Sequence, residues 1–422
     1  MKKFNSLTGM IDFIESSSVE DSLAKKLFFI EDTLKDIFNK FYYSQIRTPS
    51  LESTELFLRS VGDTSDIINK ELFEFKDKND KSISLRPEGT AGVIRSIIQR
   101  KVDNDNHKLF YLGQMWRYER PQKGRYREFN QAGVEILGYD EGLPEFEMIS
   151  VICSIIESLK IKNSLIKINH LGNKNIKQEY CKKLLAYMQP FQAELDEKDQ
   201  ERLQKNPLRV LDSKNKKTKE ILLKAPKINE FLPNDTIEFL KLIKETFADK
   251  CEIVIDPNLV RGLDYYTGIV FEAISSDLGS QDAFIGGGRY DELCEQLGGK
   301  KLPAIGMAMG LERIALLCDR TVEKISIISF IIISSNIDAK AYKIAHDLRL
   351  LNNNVYIDVN FSDGSLKSKL RRANKDNAKY AIIIGDDEIK SGKYILKSLK
   401  DDSFDQKTLN FEDLKDFLIK IR

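Results

Sequence analysis

The segment from Tyr111 to Gly138 constrains this chain more than any other part of its 422 residues, because it predicts a β-hairpin with a long cationic loop. Two apolar and aromatic runs flank five cations within eleven residues, which are Arg117, Arg120, Lys123, Arg125 and Arg127. These charges repel one another unless a polyanion lies among them, and arginine forms strong charge-assisted hydrogen bonds with phosphate oxygens. The sequence therefore predicts a site for a phosphate-rich ligand.

Two polar side chains follow this loop in the second run of the hairpin. Gln131 and Glu135 are four residues apart, and an even spacing on a strand directs both side chains to one face. We expect this face to bind a small polar ligand beside the phosphate site.

Composition excludes several classes of protein. Lys+Arg is 66 and Asp+Glu is 65, so any binding of nucleic acid must come from local patches. The longest largely apolar run, Ile327–Ile333, is too short to cross a membrane, and the N-terminus has no apolar core of a signal peptide. Five dispersed cysteines and three scattered histidines predict no zinc site. They favour reduced thiols in a cytoplasmic protein.

The apolar pattern along the chain predicts four segments. A first core occupies 1–170, a Lys-, Glu- and Leu-rich helical insertion occupies 171–250, the first core resumes at 251–320, and 325–422 forms a separate domain. Alternating strands and helices in the last segment predict a three-layer α/β domain with a largely parallel sheet. Within the first core, IRTPSLESTELF predicts a strand that ends at Pro49 and a helix that follows it.

The stretch SLRPEGTAGVIRS, Ser84–Ser96, predicts a strand that leads into a helix. Glu88 and Thr90 lie at the junction, where a helix N-terminus has unsatisfied N–H groups. The two side chains could hold a ligand ammonium group. Alternatively they are only a helix cap, with Thr90 as the N-cap and Glu88 in the turn.

Three later motifs also carry candidate residues. VRGLDYYTGIVFE places Arg261 and two tyrosines before a strand, although a surface strand with packed tyrosines gives the same pattern. GGGRYDELCEQLGG has a glycine run that lets a backbone approach a ligand closely, but most such runs are turns. AIGMAMGLERIALL puts Arg313 on an apolar helix, where an arginine is usually a solvated edge.

The segment Ser365–Lys379 has a local excess of five positive charges. A solvated helix face explains such a run without any ligand. The alternative is a patch that binds a phosphate backbone, with affinity that falls steeply as salt rises.

In this order the motifs resemble those of a class II aminoacyl-tRNA synthetase, and nearly the whole chain resembles the histidyl-tRNA synthetase family. IRTPSLE, LFYLGQMWRYERPQKGRYREFNQAGVEILG and IGMAMGLERI resemble the three class II motifs. RGLDYYTG and GGGRYD resemble the histidine-specific motifs, and NPLRVLDSK resembles part of the bacterial insertion domain. The resemblance implies an α+β catalytic domain with an antiparallel sheet flanked by helices, a helical insertion and a C-terminal α/β anticodon-binding domain.

The resemblance also implies the reaction and its ligands. L-Histidine and ATP would form histidyl-adenylate and pyrophosphate, and the histidyl group would pass to the 3′ end of tRNA(His). Mg²⁺ would accompany ATP through ligands that the sequence does not identify, and the protein would be a cytoplasmic homodimer.

Site residues follow from the same resemblance, position by position. Arg117, Arg261 and Arg313 would be catalytic, with Arg117 at the α-phosphate, Arg313 towards the γ-phosphate and Arg261 at the carboxylate and α-phosphate. Histidine would contact Glu88, Gly89, Thr90, Arg117, Gln131, Glu135, Arg261, Tyr265 and Tyr266. ATP would contact Arg117, Glu119, Arg125 and Arg313. Gly286, Gly287, Gly288 and Tyr290 would line the pocket. tRNA would contact Arg120, Gln122, Lys123, Lys367, Arg371 and Arg372.

The N-terminal sequence departs from the family pattern. The family usually begins with an arginine-containing run and a Leu-Pro pair, whereas this chain has Thr8 in LTGMID and no proline in FIESS. The family's contacts from this segment to the site or to a partner subunit therefore do not carry over to this chain by resemblance.

Two other functions fit parts of the pattern. A regulatory paralogue of the family that serves ATP phosphoribosyltransferase would bind rather than catalyse, but such paralogues lack the C-terminal domain and lose the ATP-site arginines. The second alternative is another synthetase of the same subclass, against which Glu135 and Tyr266 argue.

Overall fold

A computed structural model describes residues 3–14, 22–62, 67–279, 282–320, 326–333, 339–351, 355–361, 363–401 and 403–421. They form two compact units. One unit takes the described residues within 3–13 and 23–320, and the other takes residues 14 and 22 with those within 326–421.

The strands are numbered along the chain. They are β1 (Ser44–Gln45), β2 (Leu51–Ser53), β3 (Glu74–Lys76), β4 (Ser82–Leu85), β5 (His107–Trp116), β6 (Glu128–Leu137), β7 (Ser164–His170), β8 (Ile253–Ile255), β9 (Thr267–Ser275), β10 (Ala283–Arg289), β11 (Ala304–Gly310), β12 (Ser326–Ile333), β13 (Val355–Val359), β14 (Tyr380–Gly385), β15 (Tyr394–Ser398) and β16 (Lys407–Leu409).

The helices are numbered in the same way. They are α1 (Ser22–Lys40), α2 (Thr54–Val61), α3 (Thr90–Arg100), α4 (Leu143–Ser158), α5 (Lys174–Met188), α6 (Glu197–Lys205), α7 (Lys216–Leu222), α8 (Asn234–Thr246), α9 (Leu293–Gln296), α10 (Leu311–Leu317), α11 (Ala339–Arg349), α12 (Leu366–Lys375), α13 (Asp386–Ser391) and α14 (Phe411–Lys420). Short 3₁₀ turns occur at Gln189–Glu194, Pro207–Asp212, Ile228–Glu230 and Ser276–Leu278.

An eight-stranded sheet organises the first unit, in the order β1-β5-β6-β11-β10-β9-β7-β8. Its six inner strands are antiparallel neighbours, and a parallel pair closes each edge. The apolar residues of α1 and α4 pack against the sheet and are fully buried, for example Leu34 and Ile152. The predicted antiparallel sheet flanked by helices is therefore confirmed.

The predicted hairpin forms the structural base of the site. β5 and β6 pair from His107 with Leu137 to Trp116 with Glu128, so residues 117–127 form the loop. The long ladder explains why a loop with so many cations keeps a defined base, because its two ends are fixed by backbone hydrogen bonds.

The segment between β7 and β8 is helical in its regular parts, as its composition predicts. β7 and β8 pair in parallel, Ile166 with Ile253. The last helix of this segment, α8, buries Leu240 and Ile243 in the main core, because its apolar side chains face the sheet.

The prediction of a strand that ends at Pro49 is wrong. Residues 46–50 are irregular, with β1 before them and β2 after them, and the predicted helix follows as α2. Proline has no N–H for a strand ladder. β2 instead pairs with β4 in a separate three-stranded sheet of order β2-β4-β3.

The second unit has a five-stranded sheet of order β13-β12-β14-β15-β16. β12 is parallel to both of its neighbours, but β15 is antiparallel to β14 and to β16. The prediction of a largely parallel sheet is therefore wrong for the second half of this domain. The β14–α13–β15 connection is too short for a parallel crossover, which needs a dozen or more residues, so β15 runs antiparallel to β14.

Across the described residues, none of the helices combines the length and the apolar character that a bilayer span requires.

Candidate active site

A cavity of about 220 Å³ lies over the central strands of the large sheet. Its wall receives residues from α3, the loop at 117–127, β6, the segment before β9, β10 and α10. The residues predicted for the site that line it are Glu88, Thr90, Arg117, Glu119, Arg125, Gln131, Arg261, Tyr265, Tyr266, Gly286, Tyr290 and Arg313. Segments far apart in sequence thus supply one site.

Glu135 lies beneath this cavity with no exposed surface. Its carboxylate accepts a 2.7 Å hydrogen bond from the Thr90 hydroxyl and a second hydrogen bond from the Tyr290 hydroxyl. Burial raises the pKa of Glu135 to about 8, against the opposing effect of these two donors. The group is therefore poised to change protonation state when a ligand alters its surroundings.

Three buried tyrosines surround this carboxyl group. The ring of Tyr265 lies 4.7 Å from that of Tyr266 and 5.6 Å from that of Tyr290, measured between centroids. Burial raises the pKa of Tyr265 and of Tyr290, so both hydroxyls stay neutral donors. An aromatic pocket with neutral hydroxyls and one carboxyl group suits a flat polar ring.

Glu88 and Thr90 both line the cavity, and Glu88 also caps the helix that begins there. The Glu88 carboxylate accepts hydrogen bonds from the backbone N–H of Thr90 (2.6 Å) and of Ala91 (2.9 Å), so Glu88 caps α3 from within the cavity wall. The interpretation of Thr90 as the N-cap is wrong, because Thr90 begins the helix and its hydroxyl donates to Glu135. Burial raises the pKa of Glu88, and the two backbone donors oppose this.

Arg261 is held by Glu272, whose carboxylate accepts from its Nη1. Its Nε is buried and has no hydrogen-bond partner among the described residues. A Cβ at Gly286 would overlap with the guanidinium, so this glycine makes the room for it. No role was predicted for Glu272 from the sequence, because this residue lies on β9, eleven residues after Arg261, and no local pattern links the two.

Arg117 and Arg313 enter the cavity from different elements. Arg117 Nε donates to the carbonyl of Pro87 at 2.9 Å, and its guanidinium lies over the Phe129 ring. Arg313 Nε donates to the carbonyl of Ala283 at 2.8 Å. Burial, with nearby Arg125, lowers the pKa of Arg313 to about 10, which is the response expected of a cation beside other cations.

The five cations of the loop separate into groups. Arg117 and Arg125 line the cavity, and Arg125 pairs with Glu119 at 3.2 Å. The guanidinium of Arg127 stacks on Tyr118, 3.8 Å from the ring centroid. Its backbone N–H donates to the carbonyl of Gly9 in the N-terminal segment at 2.7 Å. The remaining predicted contacts, Arg120, Gln122 and Lys123, are exposed at the tip and do not line the cavity.

Three predicted glycines do not line the cavity. Gly89 lies against the ring of Tyr111, and Gly287 lies against the carbonyl of Gly306 on β11. Gly288 has a φ of +156° and lies against the backbone of β9. These glycines permit close packing behind the wall. The predicted contact of Gly89 with histidine and the predicted place of Gly287 and Gly288 at the pocket stay predictions.

Two further residues were missed by sequence reasoning. Glu312 is almost fully buried on α10, and its carboxylate accepts from the backbone N–H and the side chain of Asn130 at 2.7 and 2.9 Å. Burial raises the pKa of Glu312 to about 7. Gly306 is the second, since any Cβ there would overlap with the Glu135 carboxylate. In the sequence it is only a glycine within the apolar run Ala304–Gly310.

Among the residues that the structure describes, no group of three or more His, Cys, Asp or Glu side chains is arranged to hold a metal ion. The carboxylates on the cavity wall are those of Glu88, Glu119, Glu272 and Glu312. Mg²⁺ usually binds through one or two carboxylates and substrate phosphates rather than an all-protein cage. Such a wall fits a metal that arrives with a nucleotide.

An antiparallel sheet with three arginines over its centre is consistent with the class II aminoacyl-tRNA synthetases that the sequence motifs resemble. The family model described as "Histidyl-tRNA synthetase" matches residues 18–314, and that described as "Anticodon binding domain" matches 328–421. The chain belongs to the histidyl-tRNA synthetase family, whose members are ligases that use ATP, histidine and tRNA.

Individual relatives agree with this assignment. The histidine–tRNA ligase of Francisella philomiragia is 40% identical over the whole of both chains, and that of Francisella tularensis subsp. holarctica is 42% identical over 92% of this chain and 94% of its own. The apo histidyl-tRNA synthetase of S. aureus has a crystal structure with a TM-score of 0.78, at 31% identity over 99% of this chain and 100% of that one.

The raised pKa of Glu135 predicts a pH-dependent stability. Because the pKa is about 8 in the folded state and near 4.5 when exposed, the unfolded chain loses this proton first as pH rises. The free energy of unfolding of the wild type therefore falls by up to about 1.4 kcal/mol per pH unit between about pH 4.5 and 8 because of Glu135. Above about pH 8 this group causes no further decrease. The Glu135→Gln variant lacks this titration, so its free energy of unfolding should rise relative to that of the wild type as pH rises from 5 to 8.

Urea denaturation without ligands measures this, with fluorescence of Trp116 at the end of β5 as the reporter, since it is the one tryptophan of the chain. The exposed Glu238→Gln provides the control. A difference between wild type and Glu135→Gln that stays constant over this pH range would contradict the assigned pKa.

Proposed function

We propose that this cavity activates L-histidine with ATP and then transfers the histidyl group to tRNA(His). In the first step a histidine carboxylate oxygen attacks the α-phosphorus of ATP. The bond from that phosphorus to the bridging oxygen of pyrophosphate breaks, and pyrophosphate leaves. In the second step a ribose hydroxyl at the 3′ end of the tRNA attacks the activated carbonyl carbon, and AMP leaves.

The convergence of Arg117, Arg261 and Arg313 on one cavity wall is the observation that carries this proposal. Arg261 takes the carboxylate and the α-phosphate, Arg117 takes the α-phosphate and Arg313 the γ-phosphate side. Fixed cations stabilise charge as it develops in the transition state without reorganisation. The lowered pKa of Arg313 supports its role, because an anion would relieve the burial of that charge among cations.

The amino acid lies beside Glu135. Imidazole has two ring nitrogens at a fixed separation, and Glu135 and Tyr266 bind one each, with Tyr265 beside them and Tyr290 fixing the carboxylate. Glu88, Thr90 and Gln131 hold the α-ammonium group. An amino acid that cannot complete these bonds leaves buried polar groups unpaired, which permits discrimination of about 10⁴–10⁵ without editing.

Mg²⁺ with ATP completes the ligand set, and we assign no zinc. Glu119 and Glu272 are the carboxylates of the wall that would hold this ion, each beside an arginine. The ion would neutralise phosphate charge and favour departure of pyrophosphate. Replacing Glu119 by glutamine should raise the Mg²⁺ concentration needed for half-maximal exchange, because one ligand of the ion is lost.

We also propose a cytoplasmic location. Five free cysteines support this, because thiols persist in a reducing compartment. Fractionation of cells that produce the chain would test it.

Pyrophosphate exchange tests the proposed reaction. With each of the twenty amino acids in turn, exchange of labelled pyrophosphate into ATP should depend on histidine. Arg261→His should lower this exchange by about 10²–10³-fold, because one preorganised charge is lost. Binding of histidine measured by calorimetry should weaken far less, because the contacts to the ammonium group and the imidazole remain. Arg59→Gln, an exposed arginine on α2, is the control.

Exchange that depends on threonine or proline would redirect the assignment to another synthetase. A protein that binds histidine without any exchange would instead favour the regulatory alternative.

The exposed basic face of α12 is the second surface of the proposed function. Lys367, Arg371 and Arg372 are exposed there, whereas Ala373 is buried against the sheet. Replacing all three cations by alanine should raise the KM for tRNA about tenfold or more at moderate salt, because each phosphate contact releases counterions. Pyrophosphate exchange should not change.

A matched triple variant distinguishes a local patch from general charge. Lys340, Lys343 and Lys420 are exposed on the other helices α11 and α14. If alanine at these three positions raises the KM for tRNA as much, the α12 patch has no specific role.

A homodimer is proposed from the first class II motif. β2 lies at an edge of the three-stranded sheet, and its residue Leu51 is exposed, as is Leu58 on the following helix α2. Sedimentation should give twice the mass of the chain, and Leu51→Arg should shift it towards one chain, because an unpaired charge would enter an apolar interface. Leu143→Arg, at an exposed leucine on α4, is the control. A single-chain mass for the wild type would contradict the dimer.

A further inference from the structure

The loop that carries Arg261 is irregular from residue 256 to 266, between β8 and β9. Without a helix or a strand, its backbone position depends on contacts from other elements. Arg261 needs a fixed position because the reaction depends on where its charge lies, and a misplacement of about 1 Å can cost about 10²-fold in rate.

The 3₁₀ turn Pro207–Asp212 of the helical segment supplies one such contact. Arg209 is almost fully buried there, and its guanidinium faces the backbone of the loop. Nη1 donates to the carbonyl of Arg261 at 3.2 Å, and Nη2 donates to the carbonyl of Gly262 at 2.6 Å. One planar guanidinium thus fixes two consecutive peptide groups, which a lysine ammonium cannot do with the same geometry.

Asp264 strengthens this connection from the loop side. Its Oδ1 lies 3.3 Å from Arg209 Nε and accepts a 3.0 Å hydrogen bond from the Asn206 side chain. Asn206 also accepts from the backbone N–H of Leu208, so it ties the turn to the loop carboxylate. Asp264 therefore lies between two residues that are both part of the helical segment.

A separate contact holds the far end of the loop. Lys177 on α5 donates to the carbonyl of Tyr266 at 3.1 Å. The aromatic part of the loop is also packed among Tyr265, Tyr266 and Tyr290. The end of the loop with Tyr265 and Tyr266 is thus held independently of Arg209, whereas the end with Arg261 is held by Arg209.

We infer that Arg209 is a positioning residue for Arg261, so that the helical segment between β7 and β8 takes part in activation of the amino acid before any tRNA binds. This rests on the proposed role of Arg261. It assigns to this segment a function in the first half-reaction, carried by the Asn206–Arg209 turn.

The kinetic test uses the full chain and pyrophosphate exchange with histidine. Arg209→Gln should lower kcat by about 10–100-fold with little change in the KM for histidine, because the Arg261 end of the loop shifts and the aromatic end does not. Arg209→Lys should recover part of the loss, since one donor remains. Asp264→Asn, which keeps the side-chain shape, should lower kcat in the same direction.

Arg202→Gln is the matched control. Arg202 is an arginine of the same segment that pairs with Asp199 at 3.3 Å, and Asp199 keeps hydrogen bonds from Ser213 and Thr218 when Arg202 is changed. Wild-type exchange is expected for this variant. An equal loss of kcat in Arg202→Gln would overturn the inference, because the effect would then belong to the stability of the segment.

Hydrogen exchange of the 256–266 amides gives a readout that does not depend on catalysis. Faster exchange of this loop in Arg209→Gln, with unchanged exchange elsewhere in the first unit, is expected. If Arg209→Gln does not fold, Arg209→Lys and Asp264→Asn decide by the same two measurements.

The two failures are distinguishable. Absence of histidine-dependent exchange in the wild type would refute the proposed function. Unchanged loop protection in the folded Arg209 and Asp264 variants, or a change confined to the KM for histidine, would refute the positioning role.

Discussion

Glu135 has a carboxyl group with no exposed surface, and α3 and the residue after β10 each supply one of its donors. A buried ionisable group is costly unless its oxygens are hydrogen-bonded. Thr90 must therefore begin α3 at this point, and Tyr290 must follow β10 at this register. Gly306 must lack a side chain on the adjacent strand. The position of one carboxyl group thus fixes a helix, two strands and an aromatic cluster around it.

The arginines of the same cavity are positively charged, and it is this charge that determines what binds beside them. Arg261 and Arg125 are each paired with a glutamate, whereas Arg313 lies near Arg125 with a lowered pKa. A ligand with several negative charges relieves the repulsion between these cations. The energy of its binding is then available to lower the barrier of the reaction. One part of the cavity is therefore selective through neutral hydrogen-bonding groups, and the other through charge.

Local patterns predicted much of the fold and of the site. Helix α3, the β5–β6 hairpin and its cationic loop follow from periodicity and spacing. Strand direction does not, because periodicity is the same for parallel and antiparallel neighbours, and β15 was misassigned for this reason. Partners distant along the chain were also missed: Tyr290 is 155 residues from Glu135, and Arg209 is 52 residues from Arg261. No local signal encodes such pairs. A glycine run also has the same sequence whether it faces a ligand or packs against neighbouring strands, as Gly287 and Gly288 do.

The parallel pairing of β7 and β8 has a consequence for how such a chain can be shortened. A parallel pair needs a connection that returns over the sheet, at least a dozen residues long, and here the whole helical segment is that connection. α8 lies on the sheet with Leu240 and Ile243 in the core, so it is the return path, and the helices before it are an enlargement of that path. Excision with direct joining of the ends would force β8 to reverse or leave the edge of the sheet. A truncated ancestor or an engineered miniature of this domain must therefore keep a helix in the place of α8, even if everything from α5 to α7 is removed.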